Sequence, residues 1–230
     1  MTTARLYRLS GLALLVALPL EVAGWLIHPH GEDLAALGDP LYTPAHVLLL
    51  VTLAISQLGL TGLYARQATR AGWLGAIGYA LTLPYFVLHY TLLQYESFVA
   101  PYLGQEPATQ ALVAPGGPLA HGAAGTQGAF GLIMPLLAAG GVLLLGIATL
   151  RAGVFPRAAG WLPIAAVAVH LVASSLPYEA INAPPSWLSP VAFVYYLLSL
   201  GYAWGGYALW TERAAAREVA APLALPQPVA

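Results

Sequence analysis

The chain has 230 residues, of which 59% are hydrophobic and only 7% are charged. About a quarter of the residues of a soluble domain are charged, so this composition excludes a water-facing surface and indicates an integral membrane protein. All eight basic residues are arginine and cysteine is absent, which excludes a lysine Schiff base, disulfides and thiolate chemistry. The chain also carries no phosphate-binding loop and no basic patch for nucleic acid, and whether it is an enzyme stays open.

Six apolar segments follow one another along the chain, each near the roughly 20 residues that a bilayer-spanning helix requires. They predict an all-α fold, a six-transmembrane-helix bundle built from three helical hairpins. This domain occupies residues 1–213, and a flexible cytoplasmic tail is expected at 214–230. The predicted spans are Leu9–Ile27, Pro44–Tyr64, Trp73–Phe98, Ala124–Leu150, Gly160–Leu176 and Pro190–Trp210.

The arginines occur in four pairs, and six spans place every pair on one side of the membrane. By the positive-inside rule that side is the cytoplasm, so both termini are predicted to be cytoplasmic. The lysine-free, alanine-rich composition suggests a bacterial genome, and the expected location is the bacterial inner membrane. The pairs are Arg5 and Arg8, Arg66 and Arg70, Arg151 and Arg157, and Arg213 and Arg217.

The first span carries a carboxyl group, Glu21, near its centre. A carboxylate at this depth costs about 2.5 to 3.5 kcal/mol, so Glu21 is expected to face the other helices and to have a partner. One interpretation is a protonated side chain bonded to a backbone carbonyl that Pro19 leaves free. The other is a proton carrier or a ligand of a bound cation. After this span, His28 and His30 either bind a divalent cation weakly or are solvated.

The third span places its ionisable groups on one helical face. Steps of three and four residues put small residues at one end of this stripe and ionisable ones at the other, which is typical of a helix whose polar face turns away from lipid. The connection that follows, from about 100 to 123, is expected to cover the bundle, and His121 within it is taken as a surface residue. The stripe consists of Gly75, Gly78, Thr82, Tyr85, His89, Leu92 and Glu96.

A cofactor site is predicted around His46, at the start of the second span, and His89. At about 1.5 Å per residue the two lie at a similar height. They are candidate axial ligands of a haem with Tyr85 beside them, or ligands of a divalent metal shared with Glu21 or Glu96. In the alternative interpretation His46 is an interfacial residue and His89 a hydrogen-bonded neutral imidazole.

The fifth and sixth spans add two further features. His170 lies at the predicted height of Glu21, and the two form a candidate proton relay; the alternative is a core histidine bonded to Ser174 or to a tyrosine. Tyr195 belongs to a tyrosine stripe, which either lines a cavity or packs. Gly201 and Gly205 form a GxxxG pair for close packing inside the bundle or against another copy.

Three functions remain open. The first is a cofactor- or metal-binding membrane protein with a polar cavity in the external half. The second is a small proton-coupled transporter, and the third is a non-catalytic subunit whose polar residues only secure helix packing. The expected partners are the lipid bilayer and either further copies of the chain or a larger membrane complex.

Overall fold

The computed structural model describes residues 2–31, 33–114, 116–120, 126–176, 180 and 184–219, and the side chains of 126–132 and 212–219 are not described. The described part is helical and contains no strand, which confirms the all-α class. His121 and the predicted tail beyond 219 lie outside the described residues. The elements are α1 (Thr3–Ile27), α2 (Leu34–Leu37), α3 (Tyr42–Gln94), a π-helix (Tyr95–Val99), α4 (Ala100–Gln105), α5 (Gln110–Val113), α6 (Thr126–Ala152), α7 (Ala158–Ala173), a 3₁₀ turn (Ser186–Leu188) and α8 (Pro190–Val219).

Helix α3 holds both the second and the third predicted spans and reverses direction at Gly72. This residue has φ 58° and ψ −156°, a conformation open essentially only to glycine. The Tyr64 and Tyr79 rings stack at 4.4 Å, although residues 15 apart on a straight helix would be separated by about 22 Å. The arms 42–71 and 73–94, named α3a and α3b, are therefore antiparallel, and the turn between them is one residue long.

The long helices close into a ring. Helix α1 packs against α3a and α8, α3b packs against α6, and α7 completes the ring between α6 and α8. Small residues allow these approaches: a Cβ on Gly11 would lie 2.5 Å from the Gly206 carbonyl oxygen of α8, and one on Gly78 would lie 2.5 Å from the Leu145 nitrogen of α6. Glycine at these positions sets the helix spacing.

The GxxxG pair on α8 is used inside the bundle. A Cβ on Gly201 would meet Pro163 of α7 at 2.6 Å, and one on Gly205 would meet Leu63 of α3a at 2.5 Å. Of the two interpretations of this motif, the contacts support packing within the chain. Assembly with another copy stays a prediction.

The outer surface of the ring is apolar. Leu58, Val87, Leu136 and Leu171, on four different helical segments, are each at least 60% exposed. In the described part, three helices are long and apolar enough to cross a membrane: Thr3–Ile27, the run Tyr42–Gln105 and Ile133–Ala152. Helix Ala158–Ala173 is apolar but shorter. The chain therefore has the helices of a membrane protein.

One end of the bundle, named the arginine end, gathers the start of α1, the Gly72 turn, the turn between α6 and α7, and the late part of α8. The described arginines lie in these segments. Three contacts join them: Tyr7 Oη with the Ala65 carbonyl at 3.5 Å, the Arg8 guanidinium over the Trp210 ring at 4.3 Å, and Gln67 Nε2 with Thr149 Oγ1 at 2.9 Å.

Candidate functional site

The opposite end of the bundle, named the histidine end, contains a cluster of buried polar side chains. The end of α1, the start of α3a, the end of α3b with the π-helix, and the start of α8 meet there. Thr43 Oγ1 on α3a donates to the Ser97 carbonyl in the π-helix at 3.1 Å, which ties the two arms of the hairpin together. Four polar side chains at this end, Glu21, His46, His89 and Glu96, are each at most 8% exposed.

The first group in this cluster is named the Tyr–His–Tyr group and consists of Tyr85, His89 and Tyr195. The Tyr85 hydroxyl lies 3.0 Å from His89 Nδ1, and the Tyr195 hydroxyl lies 3.4 Å from His89 Nε2. A neutral imidazole has one N–H donor and one acceptor nitrogen, so it donates to one hydroxyl and accepts from the other. The predicted alternative for His89, a hydrogen-bonded buried imidazole, describes this geometry.

The second group is named the histidine pair and consists of His28 and His46. Their Nε2 atoms are 3.3 Å apart, and the Glu96 carboxylate lies 3.7 Å from His46 Nε2. His46 is 2% exposed, so its side chain is buried among the helices. His46 and Glu96, both predicted metal ligands, are thus brought together, with His28 as the second histidine.

Glu21 connects to both groups through Trp25. The Trp25 Nε1–H donates to the Glu21 carboxyl at 2.9 Å, one turn further along the same helix. The Trp25 ring stacks on His28 at 5.2 Å and on Tyr195 at 5.7 Å. The partner of Glu21 is therefore an indole and not the backbone carbonyl that Pro19 was expected to leave free, since an indole N–H can only donate and a carboxyl oxygen accepts.

A cavity of about 150 Å³ lies beside the Tyr–His–Tyr group. Residues of α3b, α6, α7 and α8 line this partly open cavity, and its walls are mainly aliphatic. Its polar lining groups are Tyr85, Tyr195, His170 and Ser174. The His170 Nε2 atom is buried and has no hydrogen-bond partner among the described residues. The Ser174 hydroxyl donates to the backbone carbonyl of His170 at 2.8 Å, so its proton is not donated to the His170 imidazole ring.

The predicted proton relay joins residues that the structure places in different settings. Glu21 is bonded to Trp25, whereas His170 lines the cavity, and no hydrogen bond links the two within the described part of the chain. Tyr195 lies between them, because it stacks on Trp25 and also lines the cavity. No chain of hydrogen bonds between Glu21 and His170 is therefore present in the described structure for direct proton transfer.

The predicted cofactor ligands are also held by different partners. His89 is bonded by two tyrosines, whereas His46 faces His28 and Glu96. No group of three or more histidine, aspartate or glutamate side chains in the described residues is arranged to hold a metal ion as it stands. The cavity of about 150 Å³ is lined by neither His46 nor His89, so it is not a space between these two predicted haem ligands.

Trp25 and Tyr195 were missing from the predicted site, and His28 was considered only as a weak ligand of a divalent cation together with His30. The spacing of four residues between Glu21 and Trp25 could have identified Trp25, and the similar height of His28 and His46 could have joined these two histidines. Tyr195 was considered only as part of a packing or cavity-lining stripe. Its contact with His89 spans 106 residues of sequence, and it depends on how α8 closes the ring.

The fold and this cluster define a class: an all-helical protein with three helices long and apolar enough to cross a membrane and with buried histidine, tyrosine and glutamate side chains at one end. No protein-family model, curated protein or solved structure matches the chain.

Proposed function

We propose that this chain is a six-span protein of a bacterial inner membrane with both termini in the cytoplasm. The reversal at Gly72 supports the count, because it divides the long apolar run Tyr42–Gln105 into two antiparallel arms. The gathering of the described arginines at one end supports the orientation. The histidine end then lies on the external side of the bilayer.

The function that fits the geometry best is carriage of a small, mainly apolar molecule together with a proton. One observation carries this proposal: Tyr85 and Tyr195, which hold both nitrogens of His89, also line the cavity. A polar group on a ligand in the cavity is then one tyrosine hydroxyl away from a buried imidazole. Histidine is the side chain whose unperturbed pKa lies closest to neutral pH, which makes His89 the candidate proton acceptor of this proposal.

Each group in the site has a role in this proposal. The tyrosine hydroxyls bind the polar atom of the ligand and pass a proton to or from His89. His170, whose Nε2 is unbonded in the described structure, offers a second contact for the ligand. The aliphatic walls accept an apolar body of about the size of benzene, which fills cavities of about 150 Å³.

The two other functions have less support. A haem between His46 and His89 requires both imidazoles to leave their present partners. A purely structural subunit requires no cavity beside its polar cluster. Buried polar groups that serve only packing are expected to be fully bonded, and the His170 ring is not.

A matched pair of probes tests the binding site. Phenol and benzene have the same ring, and phenol adds one hydroxyl that the tyrosines and His170 can bond. We expect phenol to bind about two- to tenfold more tightly than benzene, the worth of one hydrogen bond, as measured by the rise in melting temperature with probe concentration. Tyr195→Phe should remove this preference. Tyr207→Phe, at a 59% exposed tyrosine on the same helix, is the control and should keep it.

Proteoliposomes with an internal pH dye test carriage. With an inward proton gradient, phenol added outside should accelerate internal acidification beyond protein-free vesicles, because neutral phenol crossing unaided carries no net proton. His89→Gln should abolish the difference. Phenol binding without any protein-dependent acidification would restrict the protein to binding and contradict the carrier proposal.

A further inference from the structure

The histidine pair is not used in the proposed function, and its ring nitrogens are arranged in an unusual way. His28 Nδ1 lies 2.7 Å from the Pro29 carbonyl oxygen, and His46 Nδ1 lies 2.8 Å from the Tyr42 carbonyl oxygen. The Pro29 carbonyl also accepts from the Ser186 hydroxyl at 2.6 Å, so the 3₁₀ turn before α8 helps to fix this loop. Both rings are thus held through Nδ1.

These anchors determine where the imidazole protons are. A carbonyl oxygen can only accept, so Nδ1 is the N–H donor in both histidines. A neutral imidazole has only one N–H, so in the neutral form of each ring the Nε2 atom carries a lone pair. These lone pairs face each other across 3.3 Å. Two acceptors at this distance repel each other unless a positive species lies between them.

The spacing fits a metal ion. Two imidazole nitrogens bound at 2.0 to 2.1 Å to one tetrahedral Zn²⁺ are separated by about 3.3 Å, which equals the distance between the two Nε2 atoms. Metal-binding histidines commonly donate their other ring N–H to a backbone carbonyl, which fixes the tautomer and aims the free nitrogen at the metal. Both His28 and His46 have this arrangement.

Glu96 supplies a third ligand from the π-helix. Its carboxylate is 3.7 Å from His46 Nε2, about 0.4 Å more than a tetrahedral N–Zn–O pair requires. The three residues do not form a metal-binding group as they stand in the described structure, so binding requires the Glu96 side chain to move toward the two imidazoles. Water completes the coordination. Nitrogen donors with one carboxylate favour Zn²⁺, Cu²⁺ and Ni²⁺ over Mg²⁺ and Ca²⁺.

We propose that His28, His46 and Glu96 bind a divalent transition-metal cation of the Zn²⁺ type at the histidine end. The site keeps His46 and Glu96 from the set predicted by sequence. It replaces His89 and Glu21 with His28. It does not depend on the proposed carrier function, because none of its three ligands lines the cavity.

Calorimetric titration of the untagged, metal-free protein in detergent with Zn²⁺ tests the proposal. We expect one Zn²⁺ per chain and no saturable binding of Mg²⁺. His28→Gln and His46→Gln should each weaken Zn²⁺ binding at least about tenfold. His30→Gln is the matched control, because His30 is an exposed histidine in the same loop, and it should bind Zn²⁺ as the unaltered protein does.

The melting temperature provides a second measurement. Zn²⁺ should raise it in the unaltered protein and in His30→Gln but not in the two ligand variants. If a histidine variant does not fold, Glu96→Gln and the stoichiometry of the unaltered protein decide the question. Absence of saturable Zn²⁺ binding, or equal affinity in the ligand variants, would overturn the proposal and leave a shared proton between the two rings.

Discussion

At the scale of single residues, the stability of the cluster depends on which donor meets which acceptor. Glu21 illustrates this. Its carboxyl is 8% exposed and accepts one hydrogen bond from the Trp25 indole. A buried acceptor that loses its donor costs more than the bond itself was worth, because water cannot replace the partner. Trp25 therefore has a structural role that its apolar ring alone does not reveal.

Trp25→Phe should lower the stability of the folded protein by about 1 to 3 kcal/mol, because it removes the donor to a buried carboxyl and keeps a ring that can stack on His28 and Tyr195. Thermal or denaturant unfolding in detergent measures the change. Trp204→Phe is the control, since Trp204 is 50% exposed on α8 and its replacement should change stability by less than about 0.5 kcal/mol. Equal effects of the two substitutions would show that the hydrogen bond contributes little.

Sequence spacing identifies contacts within one helix and misses contacts between helices. Tyr85 and His89 are four residues apart, so their hydrogen bond follows from helical geometry. The bond from Tyr195 to the other nitrogen of His89 crosses from α8 to α3b. No periodicity in either segment specifies that crossing. The predicted pairing of His46 with His89 was based on equal height, which says nothing about rotation around the bundle.

At the scale of elements, the turn within α3 shows what apolar patterns leave undetermined. The sequence predicts two spans separated by residues 65–72, because Arg66, Gln67 and Arg70 interrupt the apolar run. The helix continues through these polar residues, and the turn is Gly72 alone. Polar side chains at the arginine end do not break a helix there. A single residue reverses the chain only because glycine tolerates this backbone conformation.

Gly72→Ala should destabilise the protein by about 1 to 3 kcal/mol, because alanine at φ 58° and ψ −156° is strained even though no atom would lie within 4 Å of the new Cβ. The melting temperature in detergent measures the loss. Gly140→Ala provides the comparison: it adds the same methyl group inside α6, where the nearest atom, on Leu81, would be 3.7 Å away. That variant should be neutral or slightly more stable.

At the scale of the whole molecule, composition and the placement of arginine explain most of what the sequence predicted. The low charge indicates a membrane protein, and the helical class follows because a helix satisfies its own backbone hydrogen bonds in lipid. The ring order of the helices did not follow from composition. Glycine contacts such as Gly11 with Gly206 determine it, and they depend on neighbours far apart in sequence.

Single introduced cysteines test the orientation of the chain in the membrane, because the natural sequence contains no cysteine that would also react. Thr69→Cys, at an exposed position shortly before the Gly72 turn, and Pro156→Cys, at an exposed position of the turn between α6 and α7, should be protected from a membrane-impermeant thiol reagent in intact cells. Pro40→Cys, exposed near the histidine end, should react. Labelling of Thr69→Cys and Pro156→Cys from opposite sides would contradict the six-span arrangement and the predicted cytoplasmic termini.

The one-residue link at Gly72 also limits how the bundle can move. Since only one residue connects α3a and α3b, we expect little sliding of one arm along the other. The hydrogen bond between Thr43 and Ser97 also joins the ends of the arms that lie away from Gly72. We therefore expect the two arms to move together as one unit. Three of the four helical segments around the cavity, α6, α7 and α8, belong to the other side of the ring. If the proposed carrier widens this cavity to admit a ligand, we expect α6, α7 and α8 to move relative to the hairpin.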